Sequence, residues 1–358
     1  MANFTEVFED VTKQGRKLQT SEYKERGKYA IIDQGQNDIA GYTDEEDGVF
    51  TDVPAIVFGD HTRVVKYIDV PCYLGADGVK LLKATIPNPN YKYLYYALLH
   101  TDIPNTGYNR HFKWLKEVNI NLPDSSKQQE IVVMLDKVNN LISLRKQQLA
   151  KLDELIKARF VELFGDPEIN TKSLKKVMLS DIAEYYNGLT YSPDNVADTG
   201  TIVLRSSNIQ NSQLDFEDTV RVDCSIKEKL YVKDNDILMC SRNGSARLVG
   251  KVALIKNLDE PMSFGAFMMI IRSKYYPYLM TYFQMEAFRR QISTGATTTI
   301  NQITGNMLNK ISLPLPEMSE VNQFAAFVKQ TDKSKLAIQQ SLDKLETLKK
   351  SLMQKYFG

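Results

Sequence analysis

Cysteine, histidine and charge of one sign are all scarce in this chain, and each shortage closes off a class of function. The three cysteines, Cys72, Cys224 and Cys240, include no CxxC pair. They support neither a zinc ribbon nor a disulfide framework and read as reduced thiols of a cytoplasmic protein. His61, His100 and His111 stand too far apart to argue for a metal centre. No run approaches the roughly 18 apolar residues of a membrane span. The opening MANFTEVFED lacks the basic-then-apolar order of a signal peptide. Lysine and arginine number 45 against 44 acidic residues, so the net charge of +1 gives no hint of a polyanion partner for the chain alone. The phosphate loop GxxxxGK[ST], the GxSxG elbow and HExxH are missing as well. The chain is therefore read as non-catalytic, with no metal and no cofactor of its own.

What the sequence does have is length, ordinary globular composition and an internal repeat. With 358 residues, 43% hydrophobic and 25% charged, two domains with separate cores are expected. The stretch from Leu122 to Gly165 opens with Pro123 and the capping candidates Asp124, Ser125 and Ser126, then contains no Pro or Gly until Gly165. Leu135, Val138, Ile142, Leu149, Leu152, Ile156 and Leu163 follow the three-and-four spacing of a coiled-coil seam, interrupted by Arg145 and Arg159. About 40 residues at 1.5 Å each make a rod of roughly 60 Å, and a rod apolar along one stripe needs a partner.

Leu315 to Gly358 supplies that partner. It aligns with the first stretch without a gap, Pro123 falling on Pro316, Leu149 on Leu342, Leu152 on Leu345 and Phe164 on Phe357. Its seam runs through Val328, Ile338, Leu342, Leu345 and Leu352. The two helices are expected to pair antiparallel, with Leu149 and Leu152 meeting the neighbourhoods of Leu342 and Leu345. The organisation is then a globular half at 1–121, a long helix at 122–165, a linker and second half at 166–314, and a second long helix at 315–358. The fold class is α+β: two mainly β domains of similar fold with a few helices, each followed by a long helix, the two helices packed as an antiparallel coiled coil.

Within the first half, Tyr29-Ala-Ile-Ile32, Ala55-Ile-Val-Phe58 and Val64-Val65 read as strands, and Tyr91 to Leu99 as a helix whose tyrosines pack a core. Asp44 to Asp47 reads as a solvated acidic turn. Asn88-Pro-Asn-Tyr91 lacks the second Pro of an Asn-Pro-Pro-Tyr methyltransferase motif and reads as a turn. In the second half, a run from Thr201 to Ile209 that ends in polar residues, another from Asp236 to Ser245 with Arg242 to Ser245 at its tip, and runs at Val249 to Ile255 and Phe267-Met-Met-Ile-Ile-Arg272 are strand-like, and Tyr275 to Ile292 reads as a helix pair.

Loops rich in Gly, Arg, Asn and hydroxyl groups suit base edges and phosphates. The first half offers Gly59 to Arg63 and Asn105 to Trp114, giving His61, Arg63, Tyr108, Asn109, Arg110 and Lys113 as candidate DNA-reading residues. The competing reading is that Asp60 and His61 shape a turn and Arg63 pairs with an acid. In the second half the candidates are Arg205, Ser207 and Asn208, then Arg242, Asn243 and Ser245, then Thr297, Thr298, Thr299 and Asn301. There the competing reading is that Arg205 or Arg242 pairs with a neighbouring acid.

The order of half, long helix, half, long helix resembles the specificity subunit of a type I restriction–modification system. The match rests on Ile120-Asn-Leu-Pro with Gln128-Gln-Glu-Ile-Val, on Lys151-Leu-Asp-Glu-Leu and on Glu162-Leu-Phe-Gly. The second copies are Ser312-Leu-Pro-Leu-Pro, Lys344-Leu-Glu-Thr-Leu and Lys355-Tyr-Phe-Gly. Leu204-Arg-Ser-Ser-Asn-Ile209, Asp236 to Gly244 and Arg110 to Lys116 are similar to the family within the halves. The second copy departs from it where Gln128-Gln-Glu-Ile becomes Val321-Asn-Gln-Phe.

The resemblance implies two target-recognition domains reading a split double-stranded DNA sequence, with the paired helices setting their separation. It also implies two modification subunits that bring S-adenosylmethionine and adenine methylation, and restriction subunits that bring ATP and Mg. Phosphate neutralisation shared with those partners would account for the near-zero charge. A coiled-coil scaffold whose domains bind proteins is the rival, but it has no need of two sets of polar loops.

Overall fold

The computed structural model describes residues 1–75, 77–107, 109–293 and 302–358. They divide into two compact units, Met1–Gln147 with Gln339–Gly358, and Gln148–Ile338.

The two stretches of the repeat are helices of 40 residues each, Ser125–Phe164 and Met318–Phe357. Asp124 caps the first, its carboxylate accepting the Lys127 N–H at 2.9 Å. Gly165 ends it with φ +77, a conformation that costs glycine least. The expected seam positions Leu135, Val138, Ile142, Arg145, Leu149, Leu152, Ile156, Arg159 and Leu163 are buried or half-buried along it, as are Gln128, Ile131, Val132, Asp136, Asn139, Phe160 and Phe164. Leu149 and Leu152 belong to the second unit, Leu342 and Leu345 to the first.

The helices pack antiparallel. In the first unit the Tyr356 hydroxyl reaches Met134 Sδ at 3.7 Å, and Lys146 pairs with Glu346 at 3.0 Å. Arg145, a polar residue in the seam, donates to Ser341 Oγ at 3.2 Å. In the second unit Lys335 pairs with Asp153, and Phe160 meets Phe324 at 5.7 Å between ring centroids. Among the described residues, no helix is long and apolar enough to cross a membrane.

Each unit carries the same two-sheet domain, the similar fold expected of the two halves. In the first, the strands Phe8–Asp10, Val79–Ala84, Ala55–Gly59 and Val65–Ile68 form an antiparallel sheet in that order. Strand period two sends Ile56 and Phe58 to one core, against the helix Tyr91–Leu99 and the long helix. It sends Ala55 and Val57 to the other, against a second sheet in which Tyr29–Ile32 runs parallel to Cys72–Gly75. In the second unit Glu184–Asn187, Met268–Arg272, Ile237–Cys240 and Val252–Leu254 form the corresponding antiparallel sheet. There Ile237 and Met239 face the helices, while Leu238 and Cys240 face a second sheet in which Thr201–Leu204 runs parallel to Met262–Phe264.

Sequence and structure differ at small points. The last strand begins at Met268 rather than Phe267, and the expected helix pair is Tyr276–Tyr282 and Glu286–Ser293. The acidic turn is exposed, as expected, with Asp44 paired to Lys24 and Glu46 to Lys28. Tyr91, Tyr93 and Tyr96 are buried core residues, as expected.

One tyrosine in each unit joins domain to helix. Tyr93 donates to the Asn121 carbonyl at 2.8 Å and packs on Phe357 at 5.3 Å. Tyr278 donates to the Pro314 carbonyl at 2.8 Å and packs on Phe164 at 5.1 Å. Asn121 and Pro314, like Phe164 and Phe357, are matched positions of the repeat. The first unit adds a polar tie, with Asp136 accepting from Tyr96 and Lys92 at 2.6 Å each.

Phe160 lies fully buried among Phe164, Tyr278 and Phe324. Phe160→Ala should cost about 3–5 kcal/mol of unfolding free energy, read as a lower denaturant midpoint for the second unit. Lys349 occupies a seam position in the first unit, where burial, and then repulsion from Lys146, hold its amine below the ordinary lysine range. Its charged form is thus disfavoured by folding. The penalty is full below the folded-state pKa and fades as pH climbs toward the unfolded value. Lys349→Leu should stabilise the chain by about 0.5–1 kcal/mol at neutral pH and flatten the alkaline rise in stability, measured by chemical denaturation across pH.

Candidate nucleic-acid interface

The central strand of the first domain, Ala55–Gly59, runs into the loop Asp60 to Arg63. Asp60 is buried and shapes the turn, as the competing sequence reading had it. Its N–H donates to the Gly78 carbonyl at 2.6 Å, and its Oδ1 accepts the Phe112 N–H at 2.8 Å. Its carbonyl accepts the His111 N–H at 2.7 Å, with the His111 ring Nδ1 at 3.0 Å. Those bonds pin the loop that precedes the long helix onto the loop that follows the central strand. A third loop joins them through Gln34, whose Oε1 accepts the His61 N–H at 3.1 Å and whose carbonyl accepts the Thr62 hydroxyl at 2.7 Å.

On this platform His61 Nδ1 lies 3.2 Å from the Asn109 carbonyl. Arg63, at φ +62, donates to the Ile103 carbonyl at 3.0 Å rather than to an acid. Asn109 Nδ2 donates to the Thr106 carbonyl at 2.6 Å. Arg110 is exposed, and among the described residues nothing bonds its side chain. Lys113 is exposed beside Trp114, 4.1 Å from the ring centroid.

The second domain builds the same platform. Its central strand, Ile237–Cys240, runs into Ser241 to Ser245. The N–H groups of Ser241 and Arg242 both donate to the Phe267 carbonyl, at 3.0 and 3.1 Å, and the Ser241 hydroxyl adds a third bond at 3.0 Å. Ile303 N–H donates to the Ser241 carbonyl at 2.7 Å, as His111 does to Asp60. Asn243 Nδ2 donates to Ser206 Oγ at 3.3 Å, and its Oδ1 accepts the Ser245 N–H at 3.0 Å. Arg242 and Ser245 are exposed.

Two candidates are turned toward the domain's own interior contacts. Arg205 pairs with Asp218 at 2.8 Å, as the competing sequence reading had it, and its Nε is buried without a partner. Asn208 is fully buried, its amide donating to the carbonyls of Asp215 and Asp218 at 2.9 Å each while its Oδ1 accepts the Arg205 N–H. Ser207 is half-buried beside them. Arg242, by contrast, meets no acid among the described residues. Tyr108, Thr297, Thr298, Thr299 and Asn301 lie outside the described residues.

Strand register makes the correspondence between the domains explicit. Gly59 pairs with Val79 and Cys240 with Met268, so Asp60 matches Ser241, His61 matches Arg242 and Gly78 matches Phe267. Ile32 pairs with Leu74 and Leu204 with Phe264, so Gln34 matches Ser206. Gln34, Ser206 and Phe267 escaped the sequence reading, because only register places them at the loop junctions. Burial pushes the Cys240 thiol, behind the second platform, above its ordinary range. Among the described residues, no cluster of His, Cys, Asp and Glu could hold a metal ion. The arrangement offers donors and acceptors on a rigid base, chemistry suited to recognition.

Known proteins share both the repeat and the fold. The chain is similar to the type I restriction enzyme StySPI specificity subunit of Salmonella potsdam, 29% identical over 175 residues, which are 45% of this chain and 38% of that one. The chain thus matches well under half the length of that relative. The EcoR124I/EcoR124II specificity subunit of Escherichia coli is 23% identical over 366 aligned positions, covering 94% of this chain and 83% of its own. The crystal structure of the type I restriction–modification S subunit from M. genitalium has the same fold, with a TM-score of 0.59 at 17% identity over 99% of this chain and 95% of that one. The family model described as the type I restriction modification DNA specificity domain matches residues 2–154 and again 172–350, one copy for each half of the repeat. On those two matches, the chain belongs to the family of type I restriction–modification DNA specificity domains.

Proposed function

We propose that this chain is the DNA sequence-recognition subunit of a type I restriction–modification complex. The globular halves at 1–121 and 166–314 read the two parts of a split duplex target. The helical segments 122–165 and 315–358 position the modification and restriction subunits. The observation that carries this reading is the duplicated platform. Two domains with little sequence in common bring the same three loop ends together and differ in the side chains mounted there. A scaffold for proteins has no call for that pattern, and the relatives give it no support.

Arg110 and Lys113 in the first half, and Arg242, Asn243 and Ser245 in the second, are the described candidates best placed to meet a duplex. His61, Arg63 and Asn109 complete the first surface, and Ser207 flanks the second. Arg205 and Asn208 hold the second platform in shape. Tyr108, Thr297, Thr298, Thr299 and Asn301 belong to the same proposal. Arginine pairs bidentately with guanine and asparagine with adenine, each good pair giving about 1–3 kcal/mol of discrimination.

The chain itself is non-catalytic and acts in the cytoplasm. Its partners supply the chemistry, S-adenosylmethionine and adenine methylation from two modification subunits, ATP and Mg from restriction subunits. Docking of those partners on the helices is supported by side chains left exposed there, among them Val133, Met134, Leu141, Leu144 and Leu348 in the first unit.

Replacing residues 1–121 with the equivalent half of a relative should change one part of the methylated target and leave the other intact, as read by methylation-aware sequencing of a host genome. A swap that altered both parts together would contradict independent reading. Arg110→Ala should weaken binding of cognate duplex by the assembled methyltransferase. A base contact would relax one position of the site by about tenfold or more, whereas a phosphate contact would lower affinity for all sequences and flatten the salt dependence. Unchanged binding of cognate and random duplexes across salt would remove Arg110 from the surface.

A further inference from the structure

Phe267 is 60% exposed in the turn between the strands Met262–Phe264 and Met268–Arg272. The fold does not ask for an aromatic there. Gly78 holds the matched position in the first domain, and its carbonyl accepts the same backbone bond. A Cβ at Gly78 would sit 2.5 Å from Gln34 Nε2, so in the first domain Gln34 fills that space. In the second domain the ring instead points outward and carries the guanidinium of Arg242, 5.5 Å from the ring centroid.

Arg272 also lies over a ring, that of Tyr186, but is held by Asp236; the Arg242 contact comes without an acid among the described residues. Arg205, Arg221, Arg272 and Arg290 are each paired with a carboxylate, and Arg289 donates to the Val249 carbonyl. Among the described residues, neither a carboxylate nor a carbonyl holds the Arg242 side chain. A guanidinium resting on an aromatic face is oriented without using its N–H donors, which stay available to an incoming acceptor. Orientation before binding also lowers the entropy lost when a long side chain is fixed.

Resting on the DNA-reading proposal above, we infer that Phe267 is a positioning residue for Arg242, and that the two form one reading element for a guanine in the part of the target read by the second half. The Phe267 carbonyl fixes the Arg242 backbone, and the ring fixes the guanidinium. Only the second of these is lost when the side chain is changed.

The test uses the methyltransferase assembled from the full chain and its modification subunits, with a duplex library randomised across both parts of the target. Bound duplexes are sequenced for the parent, Arg242→Ala, Phe267→Ala, Phe267→Tyr and the double alanine variant. Arg242→Ala should relax one guanine position. Phe267→Ala should relax the same position about two- to fivefold, Phe267→Tyr should restore it, and the double variant should be no more relaxed than Arg242→Ala alone. The unchanged preference in the part read by the first half reports that each variant is folded. If Arg242→Ala relaxes a position and Phe267→Ala does not, or relaxes a different one, or adds independently to it, the pairing is overturned. If Arg242→Ala leaves the selected sequence intact, it is the base-reading role of Arg242 that fails, and the pairing falls with it.

Discussion

A helix of 40 residues with one apolar stripe cannot leave that stripe in water, and the rest of the structure follows from how it is covered. Each stripe is half-hidden by the other helix, and the remainder is taken up by a domain core. In the first unit Leu135 and Val138 belong to the core that also holds Tyr93 and Phe58. In the second, Phe160 and Phe164 join the core of Met239 and Tyr278. Helix and domain are therefore one packed body in each unit, with the tyrosine–carbonyl bonds of Tyr93 and Tyr278 setting the join. Polar seam residues such as Arg145 and Lys335 are satisfied by Ser341 and Asp153, which fixes the antiparallel register.

The platforms show how one architecture accommodates two sets of side chains. The bonds that gather the loops run largely through backbone groups, Asp60 and Ser241 accepting from His111 and Ile303, Gly78 and Phe267 accepting in turn from Asp60 and Ser241. Backbone bonds constrain the path of a loop and leave the outward side chain open. His61 and Arg242, at matched positions, can thus differ without disturbing the fold.

Much of the architecture was legible in the sequence because local rules governed it. The helices obeyed a spacing, the first beginning after Pro123-Asp124 and ending at Gly165, and strands such as Tyr29–Ile32 stood out as apolar runs. The likeness of the two domains was expected from the repeat and the family resemblance, but its details were not legible, since they reside in pairing pattern and topology rather than in residue identity. The loops themselves were found, but their junctions were not, because Asp60 and His111 meet through bonds 51 residues apart. For Arg205 the pairing with an acid stood beside the DNA-reading role and for Asn208 burial was not foreseen, since sequence carries no sign of which way a polar side chain turns. Phe267 was hidden in the opposite manner. It reads as the first residue of an apolar strand, yet the ladder begins at Met268 and leaves the ring outside.

The composition of the first unit has a consequence for how the chain is made. That unit is assembled from Met1–Gln147 and Gln339–Gly358, whereas the second is a single uninterrupted segment. Leu352 and Met353 are core residues of the first unit, and Phe357 packs against Tyr93. During vectorial synthesis the second unit has all its parts once Ile338 has left the ribosome. The first, though it emerges earlier, must wait with part of its core uncovered until Gln339–Gly358 arrive. Its completion depends on contacts far apart in sequence, such as that of Tyr93 with Phe357, a slow closure of high contact order. The half that is translated first is the half that finishes folding last.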